Sequence, residues 1–247
     1  MSVEETISSV RNSAVVAAAG LHRARLRRVK GRTLVEGPSA VAEAIRAGPH
    51  VYEVFGVDDL ARSLALKAGA VYRPVTEQVL RRLAGTETPR GPIAVIDIPQ
   101  SVISADLRLL VAWGVSDPGN CGTLLRTAAA FGYGYVAGPA CADSWSPKVL
   151  RSAAGGHFRT TIGEISSLDD LGRRQLIGTV PAGGEPAGGV GSHAAIVVGS
   201  EAHGLSPELL EQCDRLVSIP MPGGTESLNA AVAGAIVAYL GAMGDED

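Results

Sequence analysis

The pattern of apolar and polar positions divides the chain into two α/β segments. In the first hundred residues, β-branched runs bounded by Gly, Pro and Asp predict short strands, in VYEVFGV, VYRPV and PIAVIDIP. An apolar stretch near the N-terminus predicts a helix that leads into a basic run, and TLVEGPSAVAEAIRAG predicts a strand followed by a helix. Residues 60–69 and 77–84 are predicted to be helical between the strands. This segment therefore reads as a small α/β unit.

From Leu109 onward the pattern becomes apolar strand, Gly/Pro loop and helix. The strands are continuously apolar, which is typical of a parallel sheet covered on both faces, in LLVAWGV, YGYVAG, QLIGTV, AAIVVGS and RLVSIP. Helices are predicted over CGTLLRTAAAFG, from Pro147 and over 227–242, and PAGGEPAGGVGSH is predicted to be a flexible loop. The last helix is apolar nearly all round, so it should be buried or face a partner subunit. We predict a smaller domain at 1–100 and a parallel-sheet domain at 106–247.

Charge is distributed unevenly between these segments. The 247-residue chain carries a net charge of −3, yet 14 of its 22 Lys and Arg but only 10 of its 25 Asp and Glu lie in residues 1–105. One run holds six basic residues and no acid: Arg23, Arg25, Arg27, Arg28, Lys30 and Arg32. This run predicts contact with phosphate, with a solvated helix face as the alternative.

Several classes of protein are disfavoured by the sequence. Three widely spaced cysteines form neither a disulfide framework nor a zinc-ligand pattern, so no metal is predicted. The acidic, polar N-terminus does not resemble a signal peptide, and no apolar run reaches the roughly 18 residues that a membrane span needs. We therefore expect a cytoplasmic protein that does not enter a membrane.

Three glycine-bearing segments follow predicted strands, where open α/β sheets bind ligands. They are DPGNCGTLLR, VVGSEAHGL and IPMPGGTESLN. The simpler interpretation of the first segment is that Asn120 only caps the helix and Arg126 is only a surface cation. Ser227 stands where the N-cap of the last helix should lie. His203 is a metal or acid–base candidate, but a single His is more often structural and is given no role here. Because neither G-x-x-x-x-G-K-[ST] nor a G-x-G-x-x-G after the first strand is present, an ordinary P-loop or Rossmann enzyme is a weak alternative.

The order and spacing of these three segments resemble the SpoU/TrmH branch of the SPOUT RNA methyltransferases. DPGNCGTLLRTAAAFG is similar to the first motif of that family, VVGSEAHGL to the second and IPMPGGTESLNAAVAGAIVAYL to the third. RVKGRTLVEGPSAVAEAI and TETPRGPIAVID resemble, more loosely, the substrate-binding domain that often precedes it. The resemblance implies an α/β fold whose C-terminal parallel sheet contains a deep trefoil knot, a rare exception to unknotted topology.

The resemblance also implies a site and a cofactor, S-adenosylmethionine (AdoMet). AdoMet would be held by loops that carry Thr179, Gly199, Ile219, Met221 and Leu228. The catalytic residues would be Asn120, Arg126, Glu201, Ser227 and Asn229. The family forms homodimers whose active sites combine both subunits, and the last helix with the helix after Asn120 would form the interface.

The implied reaction moves a methyl group from a sulfonium to a ribose 2′-hydroxyl, the group that distinguishes RNA from DNA. Since arginine is a poor base, we expect Arg126 to position the phosphate and 2′-oxygen and to stabilise developing negative charge. Two-domain members more often modify large-subunit (23S) ribosomal RNA, sometimes giving antibiotic resistance, whereas other relatives modify transfer RNA. A catalytically inactive RNA-binding relative is the remaining alternative.

Overall fold

A computed structural model describes residues 5–243 except 85, 87 and 90. The described residues divide into two compact units, one formed by those up to 100 together with 145–151 and the other by 101–144 together with those from 152 onward. Each unit has its own sheet. The predicted α/β fold class, with a smaller N-terminal domain and a C-terminal parallel sheet, is confirmed. No helix in the described part of the chain is long and apolar enough to cross a membrane.

The N-terminal part of the first unit alternates helices with four strands. Its elements are α1 Ser13–Gly20, α2 Ala24–Lys30, β1 Arg32–Glu36, α3 Pro38–Ala47, β2 Val51–Gly56, α4 Asp59–Ala68, β3 Val71–Pro74, α5 Glu77–Ala84 and β4 Ile93–Asp97. The strand order is β1-β4-β2-β3. One apolar cluster buries Leu34, Phe55, Leu83 and Ile93 beside α1 and α5. The basic run, predicted to follow a single helix, instead lies mostly in the separate helix α2, with Arg23 as its N-cap and Arg32 at the start of β1.

The C-terminal sequence forms a seven-stranded sheet with helices. Its elements are β5 Leu109–Ala112, α6 Pro118–Phe131, β6 Gly134–Ala137, α7 Pro147–Ala153, β7 Ile162–Glu164, β8 Gln175–Thr179, β9 Glu185–Pro186, β10 Ala194–Val198, α8 Pro207–Leu210, β11 Arg215–Ser218 and α9 Ala230–Met243, with 3-10 turns at Gly156–Phe158 and Leu168–Leu171. The strands pair in parallel in the order β7-β6-β5-β10-β8-β11-β9. This order places β5, β10, β8 and β11 side by side.

Continuous burial explains why the central strands of this sheet are apolar throughout. All five residues of β10 and all four of β5 are buried. In a parallel sheet covered on both faces, side chains on both sides of each strand meet apolar neighbours. The strand order interleaves segments that are distant along the chain, but it does not itself establish threading, so the trefoil knot stays a prediction.

The glycine-rich segment predicted to be a flexible loop is partly ordered. Glu185 and Pro186 form β9, which pairs with Val217 and Ser218 of β11. A Cβ atom at Gly184 would lie 2.7 Å from the Val217 carbonyl carbon and 2.8 Å from the Ser218 nitrogen. The loop approaches β11 this closely only because residue 184 has no side chain.

We expect Gly184→Ala to destabilise the protein by about 1–3 kcal/mol, because the new methyl group meets backbone atoms that cannot move independently. Gly191→Ala is the matched control in the same segment, since a Cβ there has no atom within 4 Å. Denaturant unfolding of both variants measures the difference. Equal stability of the two variants would contradict the close approach.

Candidate functional site

Four loops that follow neighbouring strands lie at one edge of the C-terminal sheet. They follow β5, β8, β10 and β11, whose parallel pairing brings their carboxyl ends to the same edge. The loop after β5 leads into α6, and the loop after β11 leads into α9. Segments far apart in the sequence therefore meet, as the three-segment pattern predicted.

The start of α6 is fixed by Asp117, which leaves the Asn120 side chain available for other contacts. The backbone N–H of Asn120 donates to the Asp117 Oδ1 over 2.8 Å, and Pro118 occupies the first turn. Asp117 is thus the N-cap, and the simpler reading of Asn120 as a helix cap is wrong. Asn120 instead lies inside the first turn of α6.

The Asn120 amide connects the other two motif loops. Its Nδ2 donates to the Glu201 Oε1 over 2.7 Å, and its Oδ1 accepts from the Asn229 Nδ2 over 3.0 Å. Because an amide offers both a donor and an acceptor, one side chain joins the loop after β10 to the loop after β11. The structure therefore brings together three of the five predicted catalytic residues by direct hydrogen bonds.

Asn229 also determines where α9 begins. Its Oδ1 accepts from the backbone N–H groups of Ala231 and Val232, at 2.9 and 3.2 Å. The helix was expected to start at Ser227, with that residue as its cap. Asn229 performs this function two residues later, so Ser227 belongs to the exposed loop and not to the helix.

The loop after β10 is a tight turn that projects its tip into solvent. Ser200 and Gly204 exchange two backbone hydrogen bonds, of 3.2 and 3.0 Å. A Cβ at Gly199 would lie 2.3 Å from the Gly204 carbonyl carbon, so this turn requires glycine at position 199. Glu201 and His203 are consequently exposed at the tip of the turn.

The loops enclose a pocket of about 440 Å³. A much smaller cavity of about 30 Å³ adjoins it, and the two share Thr179 and Leu228 in their walls. Gly199 lines the large pocket, whereas Ile219 and Met221 line the small cavity. All five residues predicted to bind a cofactor therefore lie around one composite cavity, although their contact with a ligand stays a prediction.

The predicted catalytic residues differ in whether they line this pocket. Glu201 and Ser227 line it, and Asn120 lines a neighbouring groove together with Glu201. Arg126 is exposed on α6, and it is not among the residues that line either cavity of this single chain. A Cβ at Gly156 would lie 3.2 Å from the Arg126 Cα, so the 3-10 turn packs closely on that part of the helix.

Two cysteines pack behind the first motif loop. The Cys121 thiol donates to the Val115 carbonyl over 3.0 Å, and the Cys141 thiol donates to the Ala112 carbonyl over 3.2 Å. The neighbouring Cys141 thiol and burial raise the pKa of Cys121, while contact with Cys121 lowers the pKa of Cys141 to about 7. The Cys121 bond holds α6 to the loop that follows β5, and the Cys141 bond ties the loop after β6 to the end of β5.

Three residues of the site were not assigned a role from the sequence. Glu226 and His203 line the large pocket, and Asp117 and His203 line the neighbouring groove. His203 is a single histidine without a partner motif in the sequence, while Asp117 and Glu226 stand directly inside the glycine-bearing motifs. Polar residues at strand ends were the available signal, but the sequence does not show which of them point into a cavity.

Among the described residues, no group of three or more His, Cys, Asp and Glu could hold a metal ion.

The basic run of the N-terminal unit is only partly exposed. Arg23, Arg25, Arg28 and Lys30 are accessible on or beside α2. Arg27 is 2% exposed and donates to the Leu21 carbonyl over 2.7 Å, so its guanidinium faces the interior. Half-buried Arg32 lies over the Tyr52 ring, 3.4 Å from its centroid. Four of the six residues predicted to bind RNA are therefore open to a phosphate.

Comparison with known proteins identifies two family models in the chain. The SpoU rRNA Methylase family matches residues 108–239, and the MRM3-like substrate binding domain matches residues 12–94. The 23S rRNA (guanosine(2553)-2′-O)-methyltransferase RlmP of Bacillus subtilis is 33% identical over 241 residues, which is 94% of this chain and 97% of that protein. The 23S rRNA (guanosine-2′-O-)-methyltransferase RlmB of Bordetella pertussis is 34% identical, covering 71% of this chain and 79% of that protein.

Solved structures are similar over nearly the whole chain. A structure described as an RNA 2′-O ribose methyltransferase has a TM-score of 0.82 and 28% identity, covering 97% of this chain and 98% of that one. The SpoU methyltransferase AviRb from Streptomyces viridochromogenes, in complex with AdoMet, has a TM-score of 0.84 and 25% identity, covering 94% and 98%.

We expect Asn120→Asp to loosen the turn after β10, because a carboxylate at position 120 would face the Glu201 carboxylate across a 2.7 Å contact. Backbone hydrogen exchange in residues 200–205 should become roughly 5-fold faster, as expected when a hydrogen bond of about 1 kcal/mol is lost. Adding Glu201→Gln should restore slow exchange, since its amide can donate to the new carboxylate. Unchanged exchange in Asn120→Asp would show that the bridge does not hold the turn.

Proposed function

Because the chain belongs to the SpoU rRNA methylase family, we propose that it is an AdoMet-dependent methyltransferase that methylates a ribose 2′-hydroxyl of large-subunit (23S) ribosomal RNA. The observation that carries this proposal is the convergence of the motif loops around one pocket, linked by the hydrogen bonds of Asn120. The predicted cytoplasmic location stays part of the proposal and follows from that substrate.

The composite cavity suits AdoMet in size and chemistry. Its larger part, about 440 Å³, lies within the range of small-molecule sites. The walls combine apolar side chains such as Leu228 with the backbone of the turn at Gly199, where the lack of a side chain lets the turn close tightly on Gly204. Thr179, Ile219 and Met221 would complete the cofactor site. When bound, AdoMet supplies an electrophilic methyl group on a positively charged sulfur.

The polar residues of the site fit the demands of methylating a hydroxyl. A ribose hydroxyl is a weak nucleophile, so it must be oriented and its developing negative charge stabilised. Asn120 and Asn229 hold the motif loops together, and the bond from Asn120 fixes the Glu201 carboxylate at the pocket wall. Ser227 lines the same pocket and would position the guanidinium of Arg126 or the ribose.

Arg126 supplies charge in this proposal and does not act as the base. Guanidinium groups remain cationic under ordinary conditions, and they bind phosphate and oxyanions through a planar set of donors. Arg126 is exposed and lies outside the cavities of its own chain. We therefore infer that it acts in the site of a second subunit.

A homodimer with α9 at its interface would bring Arg126 of one subunit to the site of the other. The helix buries Gly234, Val237 and Ala238 against its own chain, yet Val232, Tyr239, Leu240 and Met243 are 37–48% exposed. A large apolar stripe on one helix is a feature of protein interfaces. Since α9 packs beside α6, the helix that carries Arg126, this interface would place Arg126 of the partner subunit near the pocket.

The N-terminal unit would supply affinity for RNA. Arg23, Arg25, Arg28 and Lys30 are accessible within one short stretch, and such a cluster binds the phosphate backbone without regard to sequence. The unit matches the MRM3-like substrate binding domain. The trefoil knot expected for the C-terminal sheet also belongs to this proposal.

Arg126→Lys keeps the positive charge but removes the planar donor set. We expect single-turnover methylation of unmodified 23S ribosomal RNA to fall at least roughly 100-fold, the effect of losing one donor to a developing oxyanion. AdoMet affinity, measured by calorimetry, should change little.

Arg173→Lys is the matched control, since Arg173 is exposed in the same unit and does not line the cavities. Near-normal turnover in Arg126→Lys would contradict a role for the guanidinium. Methylation of transfer RNA in place of ribosomal RNA would reassign the substrate, and no methylation of either would indicate an inactive RNA-binding relative.

A shared active site predicts complementation between inactive subunits. Arg126→Lys and Ser227→Ala should each be nearly inactive alone. After unfolding and refolding together, random pairing should restore about a quarter of the wild-type activity, because half of the dimers are mixed and each has one intact site. No recovery, with mixed dimers shown by native mass spectrometry, would place Arg126 and Ser227 in the same chain's site.

A further inference from the structure

The groove beside the large pocket lies on the other side of the turn after β10. It measures about 670 Å³, and Asp117, Asn120 and Ala140 form part of its wall. Residues 200–203 line both the groove and the large pocket, so this turn forms the partition between them. A molecule in the groove would therefore lie directly beside Asn120 and Glu201.

His203 carries the one aromatic ring among the described residues that line these two cavities. Its backbone N–H donates to the Ser200 Oγ over 3.3 Å, and the turn is closed by the paired bonds between Ser200 and Gly204. The side chain is exposed at the partition. The ring is thus carried by an anchored backbone but remains open to a ligand.

The charge of the groove indicates which part of a nucleotide it suits. Its wall carries the carboxylates of Asp117 and Glu201 and includes no Lys or Arg among the lining residues that the structure describes. Phosphate is repelled by such a surface, whereas a neutral nucleobase is not. Carboxylate oxygens can in addition accept hydrogen bonds from the N–H groups of a base.

The covalent structure of a nucleotide also indicates that the base lies in this groove. The base is attached to the ribose carbon next to the one that bears the 2′-hydroxyl. A ribose whose hydroxyl reaches Asn120 and Glu201 must therefore place its base close to them. Bases taken out of their stack are commonly received on aromatic side chains, including histidine.

We propose that this groove receives the base of the nucleotide to be methylated and that His203 is the side chain on which the base stacks. This inference rests on the proposed function and names the residue that holds the acceptor nucleotide. His203 is a substrate-positioning residue in this role and takes no part in proton transfer.

The test compares His203→Ala, which removes the ring, with His203→Phe, which keeps an aromatic face but no ring nitrogen. With unmodified 23S ribosomal RNA transcribed in vitro, kcat/KM should fall roughly 10-fold or more in His203→Ala, the effect of losing one base–aromatic stack. His203→Phe should stay within about 3-fold of wild type, for the same reason. His193→Ala is the matched control, since the His193 side chain is 60% exposed and does not line the cavities.

AdoMet affinity, measured by calorimetry, should be the same in all four proteins and shows that the variants are folded. Three results would overturn the inference: normal methylation by His203→Ala, equal losses in His203→Ala and His203→Phe, or a parallel loss of AdoMet affinity. If the wild type itself methylates no RNA, the proposed function fails, and the inference fails with it. If the wild type is active and His203→Ala matches it, only the inference fails.

Discussion

The site depends on the two hydrogen bonds made by the Asn120 side chain. One holds Glu201 on the turn after β10, and the other holds Asn229 at the start of α9. An amide can donate to a carboxylate through its nitrogen and accept from a second amide through its oxygen at the same time. The bridge is available because Asp117 caps α6 and relieves Asn120 of that task. A cap on one helix thus determines the geometry of two distant loops.

Parallel strand pairing makes this bridge possible. With β5, β10, β8 and β11 side by side, their carboxyl ends form one edge, and the loops that follow them need little further adjustment to meet. Close approach of the backbone then requires glycine at two positions. These are Gly199, which packs against the far side of its own turn, and Gly184, which packs against β11. The glycines that looked like markers of flexibility in the sequence are, at these two positions, requirements of close packing.

Because of the position of Arg126, the proposed mechanism requires a second subunit. Asn120, Glu201, Ser227 and Asn229 gather at one edge of a single chain, while Arg126 is exposed on α6 outside the cavities. In the proposed homodimer, the exposed apolar stripe on α9 would contact the second copy. In this view the pocket binds the methyl donor, and the partner's guanidinium stabilises the developing negative charge. The groove beside His203 binds the base.

Sequence alone determined the α/β class, most strand positions and the three segments that carry the site, because apolar periodicity and glycine-bearing motifs are local properties. The family resemblance of those segments also pointed to five residues that line the composite cavity, among them Thr179 and Leu228. It did not identify β9, the true caps Asp117 and Asn229, or the burial of Arg27, since each depends on the contacts of the folded backbone. Nor could it separate Arg126 from the pocket or place His203 on the partition between two cavities. Those features follow from which strands become neighbours, and only the folded chain specifies that.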